Sequence, residues 1–350
     1  MGTTMQAIET QVPGGERQTD AIAEPFTSPD GVGVRRPKVS VCMPASRNIP
    51  WFERALRSVV TQSLRDIEVV ITDDSGGDLG AVVEGFADSR IRYFPNPQRL
   101  GFAGNHCRAI ELSTGDYVAF LHDDDEWETD YLASASEVLE KSPEVGLVLC
   151  GAREVDGLDN VIGLRPARMN PGLQTDPLAN FLRPNFIMML PSAGLFRRIA
   201  LQTNKRPWPD VVAADATMFI DLAYGSWKVY YVAFPLVRYR VHEHQISAGE
   251  LDMRHALVTV WSSYKFSEHQ YEVGRRKILA QCLIARAGAW LRTRKFLEAR
   301  EDLVEARRTD PATLRARRLV LRAATVAPFL LSPLLKLRES LPKKHRHAGT

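Results

Sequence analysis

Cysteine is scarce in this chain, with four residues in 350 (Cys42, Cys107, Cys150 and Cys282). Four scattered cysteines cannot make a disulfide framework, and without a Cys-x-x-Cys pair there is no zinc knuckle or thioredoxin-type couple. Three of them follow or sit in apolar runs, which reads as buried thiols in a reducing compartment. A membrane-spanning run is missing as well. Ala323 to Leu335 carries no charge, but it is 13 residues long, broken by Pro328 and Pro333, and a spanning helix needs about 20. Residues 1–36 are rich in Gly, Pro, Thr, Gln and acidic side chains and lack the basic start and apolar core of a signal peptide; they read as a disordered leader. No strand is followed by Gly-x-Gly-x-x-Gly, and Gly-x-x-x-x-Gly-Lys-Ser/Thr, His-Glu-x-x-His and Gly-x-Ser-x-Gly are all absent. Those absences argue against a dinucleotide-binding dehydrogenase, a P-loop enzyme, a zincin and an α/β-hydrolase.

What remains is ordinary soluble-protein composition, 45% apolar and 25% charged, in a length that suits one large domain or two smaller ones. The net charge of +3 hides an asymmetry. From Arg315 to the end there are nine Lys and Arg against one Glu, so the first 314 residues hold 36 basic and 41 acidic side chains. A mildly acidic body thus carries a strongly basic tail. Two readings of that tail stand side by side: an interfacial segment drawn to anionic lipid, or a helix packed on the body with its charges in water. A nucleic-acid surface is disfavoured, because no aromatics interleave with the charges and no RNA-binding motif is present.

From Val39 short apolar runs alternate with amphipathic stretches. Val39–Met43, Ile67–Thr72, Ile91–Phe94, Tyr117–Leu121 and Val145–Cys150 read as buried strands. Trp51–Gln62, Ala103–Leu112 and Tyr131–Lys141 read as the helices between them. Strand–helix alternation with nearly continuous apolar strands predicts a mostly parallel sheet covered on both faces. Further on, Leu190–Arg197 reads as a loop entering a strand, Asp215–Tyr224 as a helix, Val229–Val241 as a strand, and Leu251–Leu337 as almost entirely helical. Ala287–Asp310 has the spacing of one helical-repeat unit, too few for a solenoid.

Two of the predicted strands end in carboxylates, where ligands bind in open α/β sheets. Asp123, Asp124 and Asp125 repel one another unless hydrated, capping a helix or neutralised by a cation. Oxygen-only ligands suit Mg²⁺ or Mn²⁺ held against phosphates, while an acidic loop before the next helix explains them equally simply. Asp73 and Asp74, followed by Ser75-Gly76-Gly77, suit a base or ribose contact or a plain turn.

The joint pattern is more specific than its parts. Val39-Ser-Val-Cys-Met-Pro44, Asp73-Asp74-Ser75, Gly101-Phe-Ala-Gly-Asn105 and Gly115-Asp116 through Leu121-His-Asp-Asp-Asp125 resemble the family 2 glycosyltransferases over roughly Val39 to Ser247. The resemblance implies a GT-A fold with an appended C-terminal helical region, divided as a leader (1–36), the transferase domain (37–248), a helical region (249–340) and a basic tail (341–350). It implies that the Pro44, Ala45, Ser46, Arg47 turn lies against the nucleotide, that one of Asp73 and Asp74, Asp74 in preference, reads the base, and that Arg99, Asn105 and Arg108 flank it. Asp123 would touch the ribose. Asp124, with Asp125 beside it, would hold Mn²⁺ or Mg²⁺ against the donor diphosphate. His122 stands where the family more often has Asp, which leaves open which of the two is the principal ligand. Asp215 takes the place of the catalytic base, without the Glu that usually precedes it, while Asp221 faces elsewhere and reads as structural. Arg238-Tyr-Arg240-Val-His242-Glu-His244-Gln-Ile-Ser247 resembles the family's late Arg-x-His segment, which places His242, ahead of His244, at the metal or phosphate.

The implied reaction is inverting transfer of a sugar from a nucleotide-diphospho-sugar to an acceptor hydroxyl. A single addition in cell-surface polysaccharide or glycolipid synthesis fits, with a carbohydrate or lipid-linked acceptor of unknown identity. The expected location is cytoplasmic, peripheral on the inner face of the membrane if residues 315–350 bind it. A processive synthase is disfavoured by the missing spanning helices and missing Gln-x-x-Arg-Trp, and a nucleotidylyltransferase by the missing glycine-rich loop at Pro44–Asn48. A non-catalytic nucleotide-sugar-binding or scaffold member of the same family is the alternative.

Overall fold

The protein is described from a computed structural model. It covers residues 36–47, 50–165, 169–183, 190–202, 208–243, 245, 249–313, 318, 319, 321 and 325. The leader apart from Arg36, the apolar run 323–335 apart from Thr325, the 341–350 tail, His244 and Ser247 lie outside the described residues.

Four strands form one half of the sheet: β1 (Val39–Ala45), β2 (Ile67–Asp73), β3 (Ile91–Pro95) and β4 (Tyr117–Phe120). They lie in the order β3-β2-β1-β4, all parallel. β1 and β2 are buried throughout, as strands covered on both faces must be. β1 runs through Pro44, beyond the Met43 end that the sequence suggested. Its pairing with β4 stops at Cys42, while Pro44 pairs with Thr72 of β2 alone. Proline removes a backbone donor, so it is tolerated where one neighbour has dropped away. In the turn before β4, a Cβ on Gly115 would lie 2.7 Å from the Ser40 nitrogen. Only glycine lets β4 enter that close to β1.

The other half is mixed. β5 (Glu126–Trp127), β6 (Val145–Val155), β7 (Val161–Arg165), β8 (Gly172–Gln174), β9 (Gly194–Arg197) and β10 (Lys228–Arg240) complete a ten-stranded sheet. β9 is inserted antiparallel between β4 and β6, and β6 and β10 are parallel to each other. Six strands therefore point one way, and β5, β7, β8 and β9 oppose them. The opposed strands are two to five residues long, too short for a periodicity signal to reveal their direction.

The helices α1 (Phe52–Val60), α2 (Gly80–Glu84), α3 (Gly101–Leu112) and α4 (Tyr131–Lys141) cross over between these strands. Phe52, Ala55, Leu56 and Val59 form the buried stripe of α1, at the spacing one helix face requires. Two five-residue helices follow, α5 (Pro177–Phe181) and α6 (Arg198–Gln202), then α7 (Ala216–Tyr224). The Sγ groups of Cys42 and Cys150 are buried, which pushes both thiols up to about 12. They behave as small core hydrophobes. After β10 come α8 (Glu250–Ser262), α9 (His269–Arg292) and α10 (Phe296–Thr309), with α9 packed against both of the others. This layer is tied to the sheet half by Tyr264, whose hydroxyl donates to Asp221 Oδ1 at 2.8 Å. Asp221 is thus structural, as its helical position suggested.

Candidate active site

Three parallel strands deliver their carboxyl ends to one rim: β1 ends in Ala45-Ser46, β2 in Asp73-Asp74, and β4 continues through the buried Leu121 into His122–Asp125. The backbone holds that rim together, since Leu121 N donates to Cys42 O at 3.0 Å and Asp74 N to Ala45 O at 2.9 Å. Asn105 of α3 clamps it from behind. Its Nδ2 donates to Ala45 O (2.9 Å) and Thr72 O (3.2 Å), and its Oδ1 accepts from Asn96 Nδ2 (2.9 Å).

At the end of β2 both carboxylates are engaged by the chain itself. Asp73 accepts from Ser75 N (2.6 Å) and the Tyr93 hydroxyl (2.5 Å). Asp74 accepts from Asn96 Nδ2 at 2.6 Å, and from the amides of Leu100 (3.0 Å) and Gly101 (2.9 Å) at the start of α3. It satisfies amide donors that a helix N-terminus leaves unpaired, and Gly101, at φ +73°, provides the backbone turn there. Arg99, in the same turn, is exposed, and Arg108 is half-buried on α3.

The acidic loop is differently placed. Ser46 N donates to Asp123 Oδ2 at 3.3 Å, and the Arg47 charge favours that carboxylate. Even so, burial, reinforced by the Asp124 charge, pushes Asp123 up to about 7. The same two causes raise Asp125 well above the usual carboxylate range. Asp125 is fully buried; Oδ1 accepts from Arg240 N at 3.0 Å, and Oδ2 has no hydrogen-bond partner among the described residues. Asp124 Oδ2 pairs with His242 Nε2 at 3.0 Å. One ligand-type atom each from His122, Asp124 and Asp125 lies within 4.8 Å of the others.

Arg240 and Trp51, to which the sequence assigned no role, shape this loop. The Arg240 side chain is fully buried on β10. It donates to Asp124 O (3.1 Å), Asp156 O (2.9 Å), Asp159 Oδ1 (2.7 Å) and Glu126 Oε1 (2.5 Å). Trp51 lies 5.3 Å from its guanidinium and packs at a tilt against His242, with ring centroids 4.5 Å apart. The signal was present in the sequence: Arg240 and His242 are two apart, so an extended backbone turns both to one side. The short strand β5 completes the frame, since Glu126 and Trp127 pair with Arg238 and Val237 of β10. Behind the loop His106 is buried, with Nδ1 at 2.8 Å from Phe102 O and Nε2 at 3.2 Å from His122 Nε2. Burial, then the His122 neighbour, holds His106 down to about 3, and burial lowers His122 as well.

Asp215 stands at the residue before α7, 6% exposed, with no capping bond from its side chain. Burial pushes it up to about 7. Among the described residues no hydrogen bond joins it to the acidic loop. The structure therefore brings together Ser46, Arg47 and Asp123 on one side and Asp124, Asp125, His122 and His242 on the other, with Asp215 on a separate turn.

Known proteins resemble this chain in sequence and in fold. Residues 40–204 match the family described as Glycosyl transferase family 2. That match spans 165 of the 350 residues, a little under half of the chain. A GalNAc(5)-diNAcBac-PP-undecaprenol beta-1,3-glucosyltransferase of Campylobacter jejuni is 29% identical over 192 residues, 53% of this chain and 60% of that protein. The Escherichia coli protein WfaP, a UDP-Glc:alpha-D-GlcNAc-diphosphoundecaprenol beta-1,3-glucosyltransferase, is 33% identical over 29% of this chain and 41% of its own. The chain thus spans 60% or less of the length of these two relatives. Among solved structures, Staphylococcus aureus TarS with UDP-GlcNAc superposes with a TM-score of 0.64 at 15% identity, covering 84% of this chain and 92% of that one. The mannosyltransferase PcManGT of Pyrobaculum calidifontis, with GDP-Man and Mn²⁺, gives 0.53 at 19% identity over 87% and 85%. Those likenesses place the fold, a mixed sheet followed by helices.

Proposed function

We propose that the family 2 domain transfers one glycosyl group, with inversion, from a nucleotide-diphospho-sugar to an acceptor hydroxyl. The observation that carries the reading is Asp125 Oδ2, buried and unpartnered among the described residues beside Asp124, at the strand ends where Ser46 and Arg47 also converge. A buried unpaired carboxylate oxygen is costly unless something binds it. A donor set of two carboxylates and an imidazole suits a divalent ion such as Mn²⁺, so the residues present fit the metal that the family implies. Asp124 and Asp125 would hold it, with a histidine beside them. When bound it supplies charge stabilisation to the departing diphosphate.

The remaining work belongs to the chain's own groups. Ser46, Arg47 and Asp123 line the side on which a nucleotide would lie. To read the base, Asp73 would exchange its Ser75 amide or Tyr93 hydroxyl, and Asp74 the amides of Leu100 and Gly101. Asp215 takes the acceptor proton at its carboxylate. A buried carboxyl lifted to about 7 is matched to that task near neutral pH. The relatives' undecaprenol-linked substrates support a lipid-linked acceptor in polysaccharide synthesis. A peripheral role for the basic tail is consistent with that. No helix among the described residues is long and apolar enough to cross a membrane, so contact with lipid would be at the surface. Flotation with anionic liposomes, with and without residues 315–350, tests the tail.

The deciding experiment is donor hydrolysis by purified protein with Mn²⁺, using UDP- and GDP-sugars in turn. Slow metal-dependent release of the nucleoside diphosphate is expected. Nucleotide binding without any turnover, in the presence of acceptor extracts, would instead favour a non-catalytic member.

A further inference from the structure

The geometry points to His122 as a nitrogen ligand, through Nδ1, of the ion assigned above to Asp124 and Asp125, with His106 as the residue that fixes its tautomer. This rests on the metal reading and adds to it the identity of the third ligand and the device that orients it.

The argument is one of counting protons. His106 Nδ1 lies 2.8 Å from Phe102 O, and a carbonyl oxygen only accepts, so Nδ1 carries a hydrogen. His106 is 3% exposed and packed against Phe102 (4.2 Å), Phe120 (6.0 Å) and Trp208 (6.1 Å). An apolar surround of this kind favours the neutral ring, which has one hydrogen, already given to Phe102. Its Nε2 is therefore bare. The 3.2 Å contact with His122 Nε2 needs a hydrogen from one side, and only His122 can provide it. His122 is then the Nε2–H tautomer, and its free lone pair is on Nδ1.

That outcome has the form of a metal-binding histidine, one ring nitrogen bare and the other donating to a partner that fixes ring and tautomer. His122 offers a ring nitrogen within 4.8 Å of carboxylate oxygens of Asp124 and Asp125. Independently, Asp125 Oδ2 is buried, unpartnered among the described residues and in the same cluster. His242 has a different task. Its Nε2 faces Asp124 Oδ2, and a carboxylate oxygen accepts, so that nitrogen is spent on orienting Asp124.

The test uses full-length protein loaded with Mn²⁺ alone. Pulsed electron paramagnetic resonance should show nitrogen modulation from a directly bound imidazole. The modulation should disappear in His122→Asp, which offers a carboxylate instead and keeps Mn²⁺ affinity within about fivefold, and should persist in His242→Asn. Modulation that survives in His122→Asp and vanishes in His242→Asn gives the nitrogen to His242 and overturns the inference. Bound Mn²⁺ with no nitrogen modulation in the wild type also overturns it, and leaves the metal reading intact. Failure of the wild type to bind Mn²⁺ removes both. For His106, loss of the acceptor in His106→Phe should weaken Mn²⁺ binding about 10–100-fold. His106→Gln, whose amide oxygen can replace Nε2, should recover most of it; equal affinities in all three proteins would refute a positioning role. Long-range proton–nitrogen spectra of the metal-free wild type should show His106 as Nδ1–H and His122 as Nε2–H. The reverse pair of tautomers would sink the argument without any variant.

Discussion

Asp215→Asn separates the catalytic role proposed for Asp215 from its cost to the fold. The carboxyl is 6% exposed and held at about 7 by burial, against an ordinary 3.8. A raised carboxyl binds its proton more tightly in the folded state than in the unfolded one, so it destabilises the fold as pH rises. The cost is absent well below 3.8, grows between 3.8 and 7, and is constant above that. At about 1.36 kcal/mol for each unit of displacement, it is about 2 kcal/mol at pH 5 and about 4 kcal/mol at pH 8. Asparagine has no such ionisation. The variant should therefore be more stable than the wild type, and its advantage should widen by about 3 kcal/mol between pH 5 and pH 8. Urea unfolding at the two pH values reads this directly. Turnover should meanwhile fall about 10²–10⁴-fold, the usual contribution of a general base, with nucleotide affinity nearly unchanged. In the wild type kcat/KM should rise with pH through about 7, the region set by the raised carboxyl. An advantage that does not change with pH, or near-wild-type turnover, would refute the assignment.

Three other substitutions address the frame. Asp124→Ala should weaken Mn²⁺-dependent UDP binding by at least tenfold in calorimetry; equal affinity with and without Mn²⁺ in both proteins would contradict the metal assignment. Arg240→Leu leaves Glu126 and Asp159 without the partner at 2.5 and 2.7 Å and should cost about 3–5 kcal/mol in urea unfolding. A loss under 1 kcal/mol would mean that Arg54, which also pairs with both carboxylates, takes over. Asp74→Ala frees the Leu100 and Gly101 amides and should cost about 1–3 kcal/mol with no nucleotide present. Unchanged stability with lost nucleotide binding would instead return Asp74 to the base-reading role.

Most of the parallel half was legible because its strands are mainly apolar runs and its longer crossover helices have a stripe such as Phe52, Ala55, Leu56 and Val59, which the five-residue α2, with Val83 alone buried, lacks. The acidic loop was legible because its three aspartates follow directly on a buried strand, at the carboxyl end where open α/β sheets bind ligands. Short elements were not legible. Glu126–Trp127 becomes a strand only because β10 arrives more than 100 residues later to pair with it, and no local signal encodes that. The Asp73-Asp74-Ser75 turn was ambiguous for a related reason. Whether Asp74 reads a base or caps α3 depends on the amides of Leu100 and Gly101, brought to it by the crossover through β3. His106 carries no local signal within its helix, and only the fold sets it beside His122.

The distribution of charge around the acidic loop would let the loop be held in place and still take up the proposed cation. Arg240 is the buried cation nearest to hand on β10, yet its guanidinium donates to Glu126, Asp159 and the carbonyls of Asp124 and Asp156. Only its backbone amide reaches Asp125. The guanidinium thus fixes the path of the loop without hydrogen-bonding to either carboxylate. Had the same side chain formed a bidentate pair with Asp125, the local electrostatic cost would have been relieved, but a closed ion pair would stand where a ligand must enter. Spending the cation on the frame keeps Asp125 Oδ2 unpartnered among the described residues. The expense is local instability, which a ligand that binds only the folded state would recover by mass action.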